Sequence, residues 1–505
     1  MTSLSRLTVL SLLAAAGVAA GCKVGPDFVP PQQAGVPAFM HTGDEGFGGP
    51  SKLVAEKPVD PAWWHLLGDQ TLDTLVQRAV ASNLDVKLAT SRVREARAQR
   101  GVVAAAAYPT VDLDANASRE RLSKNTFQGA PSDGEAHNLF QAGFDANWEL
   151  DIFGRVARDV EAANADIQAL EEARRDVLVT LVSEVARNYV ELRGFQQRLS
   201  IANQNIKLQQ DTLDIATSRF KSGLTNDLDV AQAESSLAAA RATVPPLDRD
   251  VQASIHRLGV LLGQQPTTLA AELSPVGQIP GTPPEVPVGL PSELLRRRPD
   301  VRQAEREIAA TTARIGVATA DLYPRFSLTG SFGFAADKVP TLPDSSSRFW
   351  SFGPAMRWPI LDWGRIRSNI NVQEARNEQA LIRYEQTVLA SFEEVENALT
   401  SYTREQARRR ELAGAVASNE RAFNLANELY RSGIADFQRV LDSQRSLFSS
   451  QDALVDSDRA VSSNLVAVYK ALGGGWETFS PTADPEQYRR PPVSSHFGRG
   501  RQEQQ

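Results

Sequence analysis

The sequence predicts an α+β membrane protein in which barrel strands alternate with helices too long for a compact domain, and in which several copies must assemble. Three observations carry this. The chain repeats itself: "ELDIFGR" (149–155) returns as "PILDWGR" (359–365), "RFKSGL" (219–224) as "LYRSGI" (429–434), and "LLG" ending at Gly263 as "ALG" ending at Gly473, each pair 210 residues apart. Each copy holds two stretches of strict period two. Each copy also holds a proline-free run with a seven-residue apolar repeat.

The strands come in pairs. Val111, Leu113, Ala115 and Ala117 alternate with Asp112, Asp114, Asn116 and Ser118, while Phe140, Ala142, Phe144, Ala146, Trp148 and Leu150 alternate with polar neighbours. In the second copy Phe326, Leu328, Phe332 and Phe334 share one face, as do Trp350, Phe352, Met356, Trp358 and Ile360. Strands are therefore expected near 110–119, 139–150, 325–335 and 349–361. Trp148, Trp350 and Trp358 lie near strand ends, where an aromatic girdle sits in membrane barrels. Four strands cannot close such a barrel, since the smallest use eight. Open edges are not tolerated in lipid, so other chains must supply the missing strands.

Long helices follow each strand pair, expected at 155–221 and 227–263, then at 365–431 and 436–473. The first would be ~100 Å long at 1.5 Å per residue. Val185, Leu192, Leu199, Ile206, Leu213 and Phe220 are spaced by seven, as are Val395, Tyr402, Arg409, Val416, Phe423 and Tyr430, with Arg409 the single break. Ser222-Gly223 and Ser432-Gly433 are reversal signals into the return helices. Pro245-Pro246 should interrupt the return helix of the first copy only. A helix is expected before each hairpin, from about Asp69 to "AAYPTV" and from about Ser292 to "DLYPRF". Arg296–Arg298, at the start of the latter, reads as a solvated face rather than a nucleic-acid patch.

Before all this lies an apolar run, Leu7–Ala20, with Arg6 ahead of it, which has the shape of a secretory signal. Ala19-Ala20-Gly21-Cys22 resembles the bacterial lipobox, with Ala19 where leucine is usual. Cys22 is the chain's only cysteine, and a free thiol in an oxidising compartment is a liability, so it is expected to be a lipid attachment point. The competing reading is an ordinary signal and an unpaired cysteine. The expected organisation is a signal peptide (1–21), a lipid-anchored extended arm (22–60), a first repeat (61–274), a linker (275–291), a second repeat (292–476) and a disordered tail (477–505).

The motifs "CKVGPDFVPP", "WWHLLGDQTLDTLVQRAVASNLDV", "WELDIFGR", "RRRPDVRQAE", "WPILDWGR" and "LDSQRSLFSSQ" together resemble the TolC-like outer-membrane efflux proteins, within them the NodT/OprM-type lipoproteins of resistance-nodulation-division (RND) pumps. The resemblance implies a homotrimer in which three chains of four strands close a 12-stranded barrel above a helical periplasmic tunnel. It implies as partners a periplasmic membrane-fusion adaptor, an inner-membrane RND transporter and outer-membrane lipid. The function implied is a passive exit duct for drugs or other toxic compounds; type I protein secretion is the alternative, and a non-transporting periplasmic scaffold would leave the strands unexplained. The family closes its tunnel at the two Ser-Gly turns. Carried over, that constriction falls on Asp229, Tyr430, Asp442 and Arg439, with Asp227 and Asp436 as further acidic candidates that read equally well as helix caps or first-turn carboxylates. Ala435 and Arg439 depart from the TolC pattern there, so the resemblance implies no specific salt-bridge latch.

An enzyme is the competing class. No H-E-x-x-H, G-x-S-x-G or G-K-[ST] motif is present, and the five histidines lack ligand spacing. No cofactor and no metal site are expected. The net charge of −7 gives no reason to expect nucleic acid.

Overall fold

The structure is a computed structural model that describes residues 23–31, 39, 51–54, 57–121 and 136–479. The expected signal peptide, Cys22, part of the expected arm and everything after residue 479 lie outside the described residues.

Each half of the chain builds a broken helix, a hairpin, a 67-residue helix and a return. The first half runs α1 (Gln70–Ser82), α2 (Leu84–Ala105), β2 (Thr110–Arg121), β3 (Ala136–Leu150), α3 (Arg155–Lys221), α4 (Asp227–Ala242) and α5 (Val244–Leu261). After the short α6 (Ala270–Leu273) the second half runs α7 (Pro291–Arg297), α8 (Pro299–Ala320), β5 (Arg325–Ala336), β6 (Arg348–Arg357), α9 (Arg365–Arg431) and α10 (Phe437–Ala471).

The four hairpin strands form one antiparallel sheet in the order β2-β3-β5-β6. Its register lines up Leu113, Phe144, Phe332 and Trp350 as one row across all four strands. Asp112, Asp145, Ser331 and Ser351 form the neighbouring row, and because successive side chains alternate, these point to the opposite face. One face is thus apolar and the other polar, and the large apolar side chains Leu113, Phe144, Phe332 and Trp350 are exposed. Gly143 and Gly333 pair at the centre of the sheet. A Cβ on Gly333 would lie 2.6 Å from the carbonyl oxygen of Ala142 and 2.9 Å from the ring of Phe349, so only glycine lets the backbones approach and the ring lie over them.

Hairpins and long helices are joined by matching devices. The indoles of Trp148 and Trp358 donate to the carbonyls of Ala107 and Leu322 (3.1 and 3.0 Å), tying each strand to the helix before its hairpin. At the helix starts Gly154 and Gly364 take positive φ (74° and 82°) and cannot cap with a side chain. Asp151 accepts from the amides of Val156 and Ala157 instead, and Asp362 from those of Gly364 and Ile366. The two "D…GR" motifs are therefore helix caps, each worth ~1 kcal/mol as a class.

The main core sits midway along the long helices. There Trp63 stacks on Tyr469 (5.1 Å, 11°), Trp64 on Phe479 (5.4 Å, 12°), and Val185, Leu192, Ile255, Leu258, Val395, Leu399 and Tyr402 close around them. The arm and the linker join this core through β1 (Lys52–Val54), which pairs in parallel with β4 (Glu285–Pro287). Neither strand was signalled by periodicity. The described chain also runs past Trp476 into a 3-10 turn, Glu477–Phe479, held by the Phe479–Trp64 stack.

Several expectations need correction. The helices ahead of the hairpins are broken, not continuous. Asn83 stops α1 and caps α2 through the amides of Asp85 and Val86, and Pro299 ends α7 because the residue before a proline avoids the helical region. Arg298 is consequently turned inward. It is no solvated residue: only 8 % exposed, it pairs with Asp300 and Glu394 (2.6 and 2.7 Å) and donates to the Ala471 carbonyl. The heptad frame also divides. In the second half Val395, Tyr402, Phe423 and Tyr430 are buried, and the break at Arg409 is occupied by an ion pair to Asp458 on α10. In the first half burial passes below Leu192 to Ala202, Asn205, Gln209, Thr212 and Ala216, while Leu199, Ile206 and Leu213 stay half-covered and Phe220 is exposed. Small and polar side chains on that seam let the helices approach closely, and the Leu/Ile stripe is only partly covered, Leu213 packing against the core at the tip. The Pro245-Pro246 interruption is present, separating α4 from α5, while α10 is unbroken.

Candidate functional site at the helical tip

The two Ser-Gly turns lie side by side at the end of the long helices. Gly223 and Gly433 take φ of 74° and 73°, and the amides of Leu224 and Ile434 reach back to the carbonyls of Arg219 and Leu429 (both 2.9 Å). This is the six-to-one bond that ends a helix on a left-handed glycine. Behind the turns Ala216, Ala233, Phe423, Tyr430, Phe437, Val440, Leu441 and Leu447 form a small core of their own.

Tyr430 is 3 % exposed and packs on Phe437 (5.3 Å, 52°). The guanidinium of Arg219 lies over its ring at 4.8 Å and donates to the carbonyls of Tyr430 and Arg431 (3.1 and 3.3 Å). A cation from α3 therefore neutralises the carbonyl end of α9, where the helix dipole favours positive charge. Asp229 accepts from the Thr225 hydroxyl and lies close to the phenol. Burial, reinforced by the Asp229 charge, pushes the Tyr430 phenol above its ordinary range.

The other expected residues are exposed at and just after the turns. Asn226, not Asp227, caps α4, accepting from the Asp229 amide; Asp227 is a first-turn carboxylate. Asp436 caps α10 through the Arg439 amide (3.1 Å), and the Arg439 side chain stays with that same aspartate at 3.8 Å. Asp442 is exposed, accepts from Gln438 (2.9 Å) and lies 4.0 Å from Arg445. Arg439, Asp442 and Arg445 occupy one helix face at spacings of three. Of these two cations Arg445 is the one beside the Asp442 carboxylate, while Arg439 turns back to Asp436. Sequence reasoning missed Arg219, although it stands inside the quoted "RFKSGL"; its signal is the asymmetry of the repeat, which has Leu429 at the matching position.

Among the described residues no group of His, Cys, Asp and Glu could hold a metal ion, and no helix is long and apolar enough to cross a membrane.

Comparison with known proteins places this architecture. The family model described as outer membrane efflux protein matches residues 75–264 and 290–474. The chain belongs to the outer membrane efflux protein family. It is 34% identical over 416 residues to outer membrane protein OprJ of Pseudomonas aeruginosa, covering 82% of this chain and 86% of that one. It is 32% identical over 459 residues to the solvent efflux pump outer membrane protein SrpC of Pseudomonas putida, covering 90% and 96%. Among solved structures it resembles the outer-membrane channel OprN, with a TM-score of 0.84, 36% identity, and coverage of 90% of this chain and 100% of that one. It is an outer-membrane component of the efflux exit duct.

Proposed function

We propose that three copies of this chain form a passive duct through the outer membrane, with a 12-stranded barrel continued by a helical tunnel into the periplasm. One observation carries the reading: both layers end in open edges. Strands β2 and β6 are unpaired on their outer sides, while an apolar face runs across all four strands. In the helical layer α2 packs on α3, α3 on α8 and α8 on α9. Its two ends leave Leu84, Leu88 and Val102 exposed on α2, and Val372, Ile382 and Leu389 exposed on α9. Further copies joining β6 to β2 and α9 to α2 would cover both edges at once, and closure is what lipid demands of a sheet.

The outward apolar face meets lipid and the polar face, with Asp112 and Asp145, lines the lumen. Cys22 carries the lipid anchor. The tip residues form the constriction, Tyr430 covered by Arg219 and neighboured by Asp229 within each chain, and Asp442 facing the pore beside Arg445, while Asp227, Asp436 and the Arg439 paired with Asp436 serve the turns. Three-fold symmetry turns each exposed charge into a ring. An adaptor protein contacts the turns and shifts the closed–open equilibrium by binding the open form better, delivering substrate from an RND transporter. The relatives' names point to small toxic compounds, solvents included, as cargo.

Deleting the gene in its host should raise accumulation of a fluorescent RND substrate, and the wild-type chain should restore export. Unchanged accumulation together with loss of a secreted protein from the medium would favour type I secretion instead. In planar bilayers, neutralising Asp229 and Asp442 together should lower cation selectivity; an unchanged ratio would place these aspartates outside the pore.

A further inference from the structure

Arg158 is the only charged residue among the largest fully buried side chains of the described fold, and the duct itself makes no use of it. It leaves the first turn of α3, and its side chain is 2 % exposed. Nε donates to the carbonyl of Val24 (3.1 Å), Nη2 to the carbonyl of Gly25 (3.2 Å) and to Asp27 Oδ1 (2.7 Å), and Nη1 to Glu161 (3.1 and 3.3 Å). A buried cation is tolerated only with such partners. All but Glu161 belong to the four residues 24–27, more than a hundred positions away in sequence.

Shape agrees with charge. Gly25 has a φ of +87°, and a Cβ there would lie 2.5 Å from Gly316 Cα on α8. A Cβ on Gly316 would in turn meet Arg158 Cδ and Cγ at 2.9 Å. The two glycines let the arm settle into the groove between α3 and α8 with the arginine stem packed against it. Lys23 lies against Gly154, and the Val24 amide reaches the Phe153 carbonyl at 3.4 Å. The other half of the repeat lacks the site. Ser368 stands 210 residues after Arg158, and Gly101, 215 before Gly316, has open space where a Cβ would be.

We propose that Arg158 and the Gly25–Gly316 contact form a clasp that seats the segment after Cys22 and so fixes where the lipid leaves the protein. This rests on Cys22 being acylated. Chain length does the rest: Cys22 is two residues from Val24, so its Cα lies within about 7 Å of Val24 Cα even in a fully extended chain. The acyl chains are thereby tied to the turn at Gly154, where β3 becomes α3, and their depth in the membrane and the height of the strand–helix junction set each other. Each chain carries one such clasp.

The test is hydrogen–deuterium exchange with mass spectrometry on the full-length protein purified from membranes, with the mass of the Cys22 peptide read in parallel. Gly25→Ala should speed exchange of the Val24 amide, which reaches the Phe153 carbonyl, by about ten-fold or more, Asp27→Asn less, and Arg158→Gln at least as much as Gly25→Ala, with the sheet and Cys22 acylation unchanged. Gly25→Ala and Asp27→Asn alter only the arm, so the test stands even where Arg158→Gln does not fold. Wild-type exchange in both arm variants would overturn the clasp. An unmodified Cys22 beside a protected arm would overturn the anchoring role, and with it the acylation on which it rests, while leaving the docking in place.

Discussion

Arg219 has no counterpart across the repeat, since position 429 is leucine, and this difference makes the two tips unequal. The guanidinium binds the last carbonyls of α9 and covers Tyr430, so it holds one hairpin against the other inside a chain. Substituting the leucine of the other copy, Arg219→Leu, removes charge-assisted bonds of ~1–2 kcal/mol after allowance for partial exposure. Amide exchange over 428–434 should accelerate about ten-fold and resting conductance should rise; unchanged exchange would show that Arg219 carries no load. A second residue is informative about pH. Burial, then the neighbouring Asp300, pushes the Asp176 carboxyl above its usual range, against the pull of Arg298 and Lys470, and with Glu394 adding to the rise. A raised folded value means that the associated stability is present below the unfolded pKa and declines as pH rises through the folded one. Asp176→Asn should therefore melt higher than wild type near neutral pH, and the gap should close below about pH 4. A constant gap across pH would contradict the argument.

At the scale of elements, the sheet offers the sharpest expectation. Gly333→Ala places a methyl group 2.6 Å from the Ala142 carbonyl oxygen, and relief means shifting β3 or the Phe349 ring, a strain of about 1–3 kcal/mol as a class. The folded, heat-modifiable form should be lost at a lower temperature on unboiled gels, whereas Gly353→Ala, which meets nothing within 4 Å, should behave as wild type. The strands were readable because a two-sided sheet writes its two environments into alternate residues. The long helices were readable because they lack proline and keep a seven-residue period. Single-residue breaks were not: Asn83 interrupts a helix without disturbing its composition, and it does so by capping the next one. Three-residue β1 and β4 are too short to show a period and are specified only by each other. Arg298 reads from the sequence as an ordinary surface charge and nothing in the pattern singles out Arg158, because what buries them comes from far along the chain. Of the tip, the turns and the place of Tyr430 could be read from the motif, but its clamp by Arg219 could not, since the partners lie more than two hundred residues apart.

At the scale of the molecule, one chain is an open structure twice over. Its sheet has two free edges and its helical layer two apolar flanks, and the main core at mid-length of the helices closes neither. A lone copy would expose Leu113, Phe144, Phe332 and Trp350 on a sheet whose backbone is unpaired at both ends. In the proposed assembly, closure by copies would cover the free edges and the flanks with one operation, so that assembly is the condition for a pore rather than an addition to it. The direct measurement is native mass spectrometry of the full-length protein released from detergent, with circular dichroism on the same sample. Three chains per particle, with no folded single chain at any dilution that preserves the β signal, is the result expected. A monodisperse single chain retaining its full strand content would contradict the account.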